Sequence, residues 1–242
     1  MCTNPDMPSR RDVLRGLTLT GAAALATGTV PSMLQAMSSR ADGARGVVPA
    51  PTTPAEALDM LYQGNARFAD GKITAPHRNM ERLKEIAAGQ KPFAAFLGCA
   101  DSRVPIEIVF DQGFGDVFVT RIAGNVADPA IIGSLEYGVE VLGAQVLYVL
   151  GHSKCGAVAA TVKGDAVPGQ ISTLYQHIRR AVKESNGNLD VAIQRNVEIQ
   201  AEILSEASPV LARRVADKSL IIAGGVYDLA SGKVTPVKLP AR

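Results

Sequence analysis

The sequence predicts an α/β protein with a mostly parallel central sheet, flanked by helices and closed by a C-terminal antiparallel edge hairpin. Short apolar runs alternate along the chain with segments of helical periodicity, which is typical of parallel strands joined by helices. The chain has 242 residues, of which 47% are hydrophobic, so it can bury one substantial core. We therefore expect one α/β domain over residues 51–242.

The predicted elements follow in chain order. The segment from Thr53 to Glu56 is a capping box with proline at the first helical position, and it begins an amphipathic helix. A second short helix is expected over residues 79–88. The other predictions are strands at 93–98, 116–121, 145–150 and 219–227, helices at 129–142, 170–185 and 189–207, a helix that starts near Cys155, and a hairpin over 227–239.

The first residues differ in composition from the rest of the chain. The basic pair Arg10-Arg11 precedes an uncharged stretch over residues 16–30, which is the layout of a bacterial export signal. The pair is similar to the twin-arginine pattern. We therefore predict an export signal at 1–36, a linker at 37–50, and a periplasmic or secreted protein without a stable membrane anchor. A weak amphipathic helix or a disordered tail is the alternative.

The charge balance argues against one class of partner. The formal net charge is only +2, and no block of Lys and Arg occurs in the sequence. Because binding to a phosphate backbone needs clustered cations, we do not expect a nucleic-acid partner. The composition is compatible with a small-molecule substrate.

Two short segments carry the residues of a metal site. Cys99-x-Asp101-x-Arg103 follows one predicted strand, and His152-x-x-Cys155 follows another. The carboxyl ends of strands in a parallel sheet border one crevice, where ligand sites gather. Thiolate, imidazole and carboxylate are the ligands of tetrahedral zinc, so we predict Zn2+ bound by Cys99, Asp101, His152 and Cys155.

Other readings of these residues stay open. A disulfide between Cys99 and Cys155, or burial of both as small hydrophobes, would also account for the two cysteines. Neither reading explains why Asp101 and His152 lie so near them in sequence. Asp101 itself has two possible states: it closes the metal site as a fourth ligand, or Arg103 holds its carboxylate and water takes that position.

These motifs resemble those of the β-class carbonic anhydrases. The likeness covers residues 51–242 and includes Gln90-Lys91-Pro92-Phe93, Phe110-Asp111-Gln112-Gly113, Arg121-Ile122-Ala123-Gly124-Asn125 and Ser134-Leu135-Glu136-Tyr137. The resemblance implies zinc-dependent, reversible hydration of carbon dioxide to bicarbonate and a proton by zinc-bound hydroxide. It also implies a homodimer or higher even oligomer, with active sites at the dimer interface.

The same resemblance assigns further site residues. It implies catalytic roles for Asp101, Arg103 and Gln90, and Gln90 would hydrogen-bond the substrate oxygen. The implied substrate pocket consists of Phe118, Ala123, Tyr137 and Gly156. Phe96 stands where members regulated by bicarbonate have Trp, so that regulation is not implied here.

Two other functions fit the same motifs. A hydrolase of carbon disulfide or carbonyl sulfide would use the same fold and zinc site. A non-catalytic zinc protein closed by Asp101 is the second, although a purely structural site has no need of Gln90 or Arg103. His77 and His177 are interpreted as ordinary surface residues.

Overall fold

The computed structural model describes residues 50–239. Its strands are β1 (Ala94–Gly98), β2 (Val117–Arg121), β3 (Val146–His152), β4 (Ile221–Tyr227) and β5 (Val234–Pro236). They form one five-stranded sheet in the order β2-β1-β3-β4-β5, in which the first four strands are parallel and β5 is antiparallel to β4. The predicted fold class and edge hairpin are confirmed. The predicted export signal, and the predicted linker except for residue 50, lie outside the described residues.

Helices connect the strands and cover the sheet. They are α1 (Pro54–Ala69), α2 (Met80–Glu85), α3 (Ile106–Val109), α4 (Pro129–Glu136), α5 (Gly156–Lys163), α6 (Ser172–Glu184), α7 (Leu189–Ala207) and α8 (Pro209–Ala216). A 3-10 turn at Ala123–Asn125 follows β2, and a π-helical turn at Tyr137–Val141 extends α4. Among residues 50–239, no helix is long and apolar enough to cross a membrane.

Polar side chains fix where several helices begin. The Thr53 side chain accepts a hydrogen bond from the amide of Glu56, and the Glu56 carboxylate accepts one from the amide of Thr53, as the capping box predicts. Asp128 and Ser208 cap α4 and α8, and each is followed by a proline whose fixed φ suits the first turn. A cap of this kind stabilises a helix by about 1 kcal/mol.

The core has one layer on each face of the sheet, because successive side chains of a strand point to opposite faces. On one face Phe96 packs against Phe110 and Tyr148, with ring centroids 5.0 and 5.5 Å away. On the other face Leu97 belongs to a second apolar cluster with Leu147. All residues of β1 and β3 are buried, as expected for central strands covered on both faces.

A buried carboxylate anchors the segment that follows α1. Asp111 has no exposed side-chain area, and it accepts hydrogen bonds from Nε of Arg67 (2.7 Å), from the amide and hydroxyl of Thr74 (2.9 Å each) and from the amide of Ala75 (2.9 Å). Burial raises the pKa of Asp111, but these hydrogen bonds outweigh burial and hold the pKa below its ordinary value. The ionised form of Asp111 is therefore the one that the fold stabilises.

The structure differs from the predicted elements at several boundaries. The helix expected at 79–88 already ends at Glu85, and β3 continues to His152 rather than ending at residue 150. Helices α3 and α8 have no counterpart among the predictions. α3 spans a single turn, and α8 buries only Leu211, so neither contains enough apolar residues to show a helical period.

Candidate metal centre

Two central strands end side by side at the candidate site. β1 and β3 are parallel neighbours with Gly98 opposite Leu150, so Cys99 and His152 emerge at the same edge of the sheet. Cys155 follows at the N-terminus of α5. The ligand atoms of Cys99, His152 and Cys155 all lie within 4.8 Å of one another, and all three residues are buried. The structure thus brings together three of the four predicted ligands.

The orientation of His152 leaves one ring nitrogen free for a metal. Nδ1 lies 3.0 Å from the carbonyl oxygen of Ser153, and a carbonyl can only accept, so Nδ1 carries the proton. Ser153 is itself held, because its amide donates to the Tyr227 carbonyl (2.8 Å) and its hydroxyl to Asp228 (3.2 Å). Nε2 of His152 is buried and has no hydrogen-bond partner among the described residues. A metal ion would satisfy this nitrogen.

The two thiols lie next to this nitrogen. Cys99 and Cys155 are free thiols rather than a disulfide. A hydrogen bond from the Cys155 thiol lowers the pKa of Cys99, and the amide of Gly124, 3.3 Å from the Cys99 sulfur, lowers it further. The same Cys99–Cys155 contact, together with burial, raises the pKa of Cys155. Two cysteine sulfurs and an unpartnered imidazole nitrogen in a buried cluster fit a borderline-soft divalent ion such as zinc, which binds both sulfurs as thiolates.

Asp101, the fourth predicted ligand, is bound to Arg103 instead. Its Oδ1 accepts from the amide and Nε of Arg103, both at 2.9 Å, and its Oδ2 accepts from Nη2 at 2.8 Å. These bonds, of which the side-chain ones contribute most, hold the pKa of Asp101 well below its usual range. Oδ2 is nevertheless only 3.8 Å from Nε2 of His152. The carboxylate therefore lies beside the cluster without joining it, because the guanidinium occupies both of its oxygens.

Arg121 also supports the loop that carries Cys99, and sequence reasoning assigned it no such role. Its Nε donates to the carbonyl of Cys99 at 2.9 Å, and its Nη2 donates to the carbonyl of Asp101 at 2.5 Å. One guanidinium thus spans the backbone from the first cysteine to the aspartate. The signal in the sequence is a basic residue at the end of β2, directly beside the end of β1.

Two residues of the predicted substrate pocket lie beside the cluster. Gly156 is the first residue of α5, next to Cys155, and a Cβ atom placed on it would meet no atom within 4 Å. Ala123 begins the turn after β2, one residue before the Gly124 amide that contacts the Cys99 sulfur. Gly156 is exposed, so this open space faces solvent beside the buried Cys155.

The other predicted pocket residues lie at a distance from the cluster in the same chain. Phe118 pairs in register with Ala95, four residues before Cys99, which is about 13 Å along a strand. Tyr137 packs against Phe118 with ring centroids 6.2 Å apart. Gln90 is exposed and precedes β1, so it lies at the opposite edge of the sheet from Cys99. Within one chain, Gln90, Phe118 and Tyr137 do not meet the cluster.

The interpretation of His77 as an ordinary surface residue is wrong. Its Nδ1 lies 2.7 Å from the carboxylate of Asp116, and its side chain lines a cavity of about 440 Å³ together with Lys91 and Phe93. The partner Asp116 is distant in sequence, so no local pattern could have revealed the pair. This cavity lies at the amino ends of the strands, away from the metal cluster.

Known proteins resemble both the sequence and the fold. A sequence model of the carbonic anhydrase family matches residues 94–234. Carbonic anhydrase 2 of Mycobacterium tuberculosis is 40% identical over 190 residues, which cover 75% of this chain and 92% of that protein. A β-carbonic anhydrase of Coccomyxa, solved with acetazolamide, is 26% identical, with a TM-score of 0.57 over 78% of this chain and 87% of that one. A tetrameric β-carbonic anhydrase of Sordaria macrospora has the same fold, with 23% identity and a TM-score of 0.63 over 76% of this chain and 98% of that one.

Proposed function

Because this chain belongs to the carbonic anhydrase family and is an enzyme of the β class, we propose that it hydrates carbon dioxide reversibly to bicarbonate and a proton at a zinc ion. Cys99, His152 and Cys155 would hold the zinc. The observation that carries this proposal is the convergence of two thiols on the unpartnered, buried Nε2 of His152. A bound zinc ion supplies Lewis acidity, which lowers the pKa of a coordinating water toward neutrality.

The residues around the cluster would then orient the reacting water. Arg103 holds both oxygens of Asp101, so the carboxylate would be kept from closing the metal site. Since its pKa is low, Asp101 is ionised at neutral pH and can only accept hydrogen bonds. Its Oδ2, next to Nε2 of His152, is placed to accept a hydrogen bond from the water and so to aim a lone pair at the substrate.

The space for carbon dioxide lies next to the cluster. The substrate is small, linear and apolar, and the missing side chain at Gly156 leaves room for it beside Cys155. Arg121 and the Ser153 contacts keep the two ligand-bearing loops in place, so that the space does not collapse.

We also propose that a second copy of the chain completes the pocket with its own Gln90, Phe118 and Tyr137. These residues are too far from the cluster of their own chain to reach it, and the Tyr137 side chain is 48% exposed. The Sordaria macrospora enzymes, which share the fold, are tetrameric. A homodimer or a higher even oligomer is therefore the proposed assembly.

The deciding experiment is stopped-flow measurement of carbon dioxide hydration by protein of known zinc content. We expect about one zinc per chain, fast hydration, and loss of both in Cys99→Ser and His152→Ala. Full zinc occupancy in both variants would contradict the ligand assignment. Turnover of carbon disulfide or carbonyl sulfide without carbon dioxide hydration would instead identify the hydrolase, and zinc without any turnover would identify a non-catalytic protein.

A further inference from the structure

A buried amide pair connects helix α7 with the metal cluster. Asn196 and Gln200 lie one helical turn apart, and they are 1% and 0% exposed. Their buried neighbours on α7 are apolar, namely Ala192, Ile193, Val197, Ile199, Ala201 and Leu204. Polar side chains in such surroundings are costly unless their atoms are hydrogen-bonded.

Each polar atom of the pair has a partner. Nε2 of Gln200 donates to Oδ1 of Asn196 (3.1 Å) and to the carbonyl of His177 (3.2 Å), and Oε1 of Gln200 accepts from the amide of Ala127 (2.8 Å). Nδ2 of Asn196 donates to the carbonyl of Gly124 at 2.9 Å. The pair therefore holds both ends of the turn from Gly124 to Ala127 against α7.

That turn carries a hydrogen-bond donor to the cluster. The amide of Gly124 donates to the sulfur of Cys99 at 3.3 Å. Gly124 has a φ of +77°, in the left-handed region, and a Cβ there would lie 2.8 Å from Cδ1 of Ile178. The carbonyl of Gly124 accepts a hydrogen bond from Asn196 and its N–H donates one to the sulfur, so both polar backbone groups of this residue have a partner.

We propose that Asn196 and Gln200 are positioning residues of the metal site, and that they fix the Gly124 amide against the Cys99 sulfur. This inference rests on the proposed function, because it concerns the metal that Cys99 would hold. A hydrogen bond to a thiolate withdraws charge from sulfur, which stabilises the deprotonated ligand and leaves the metal more electron-poor. Removing hydrogen bonds that orient metal ligands typically weakens metal binding by about 10–100-fold.

The test compares Asn196→Leu with Leu204→Ala in the full-length protein. Asn196→Leu keeps the branching of the side chain at Cγ and removes both of its hydrogen bonds. Leu204→Ala is the matched control, because it removes a fully buried side chain of the same helix that takes no part in the amide network. In chelator competition we expect Asn196→Leu to bind zinc about 10–100-fold more weakly and the control to bind as the wild type does.

Cobalt substitution adds a readout that a merely structural role would not move. The thiolate-to-cobalt charge-transfer band reports electron density on the sulfur, so it should shift in Asn196→Leu and not in Leu204→Ala. Asn196→Ala, which also loses the donor to Gly124, should behave like Asn196→Leu. It serves if the leucine variant does not fold.

The outcomes separate this inference from the proposed function. Folded Asn196 variants with wild-type zinc affinity and an unchanged band would overturn the positioning role and leave the function intact. A wild-type protein that binds no zinc would overturn the proposed function itself. If neither variant folds, the test is an NMR measurement on the wild type loaded with an NMR-active cadmium isotope. The Gly124 amide proton should couple to the metal through the sulfur, and no coupling would overturn the inference.

Discussion

Replacing Gly124 by alanine should destabilise the protein more than the backbone conformation alone explains. An L-residue in the left-handed region costs about 1–2 kcal/mol. The added Cβ would also lie 2.8 Å from Cδ1 of Ile178 and 3.2 Å from Cβ of Ala157. Overpacking of a core costs about 1–3 kcal/mol, and the flexible end of Ile178 can relieve a part of it. We therefore expect Gly124→Ala to lower the free energy of unfolding by about 2–3 kcal/mol.

Gly164→Ala is the matched control. Gly164 has a similar φ of +70° at the end of α5, but a Cβ there would meet no atom within 4 Å. It should lose only the conformational part, about 1–2 kcal/mol. Urea denaturation at fixed protein and zinc concentrations gives both values, and each kcal/mol should lower Tm by about 2–4 °C. Equal losses in the two variants would refute the close-contact argument.

Gly124→Ala should also weaken zinc binding, because the contact of the added Cβ with Ile178 moves the amide that donates to the Cys99 sulfur. Gly164→Ala leaves that amide in place. Chelator competition on the same two proteins separates this local effect from a general loss of stability. Wild-type zinc affinity in Gly124→Ala would show that the hydrogen bond to sulfur does not contribute to metal binding.

Three further predictions concern the bonds from Arg103 to Asp101, acid stability and export. Arg103→Ala should keep its zinc but lose most carbon dioxide hydration, since the freed carboxylate can take the fourth metal position; near-native turnover in stopped flow would contradict this. Asp111→Asn should cost about 3 kcal/mol in urea denaturation at pH 7, because it leaves buried donors and a cation unmatched. The folded-state pKa of Asp111 is lowered, so its stabilisation is present above the unfolded pKa of about 3.9 and is lost as pH falls through the folded value. The free energy of unfolding of the variant should therefore fall less steeply than that of the wild type as the pH is lowered. The same pH dependence in both proteins would exclude this role of Asp111. Changing Arg10 and Arg11 together to Lys should retain active precursor in the cytoplasm, as fractionation would show, whereas unchanged processing would exclude the twin-arginine route.

The sequence was sufficient to predict the fold class and the metal cluster for one physical reason. Strand–helix alternation predicts a parallel sheet, and neighbouring parallel strands end at the same edge. Cys99 and His152, each at the end of an apolar run, were therefore expected to meet, and the structure places them together.

Other parts of the site could not be predicted, because they depend on contacts between segments distant in sequence. Asn196 and Gln200 share the apolar face of α7 with Ile193, but local periodicity does not show which backbone groups of a distant segment they meet. They are buried because the turn at Gly124 offers them a carbonyl and Ala127 an amide. The role of Arg121 likewise depends on the pairing of β2 with β1.

The three candidate metal ligands follow β1, end β3 and precede α5, and this distribution has a consequence for the order of assembly. In an unfolded chain these three residues are far apart, so the proposed zinc site would form only when the two strands have paired. In an oxidising compartment, two thiols that come together without a metal can be joined covalently. The compartment in which β1 and β3 pair thus decides whether Cys99 and Cys155 bind a metal or form a disulfide. Under the proposed route of export, the chain would fold and bind its metal before it leaves the cytoplasm.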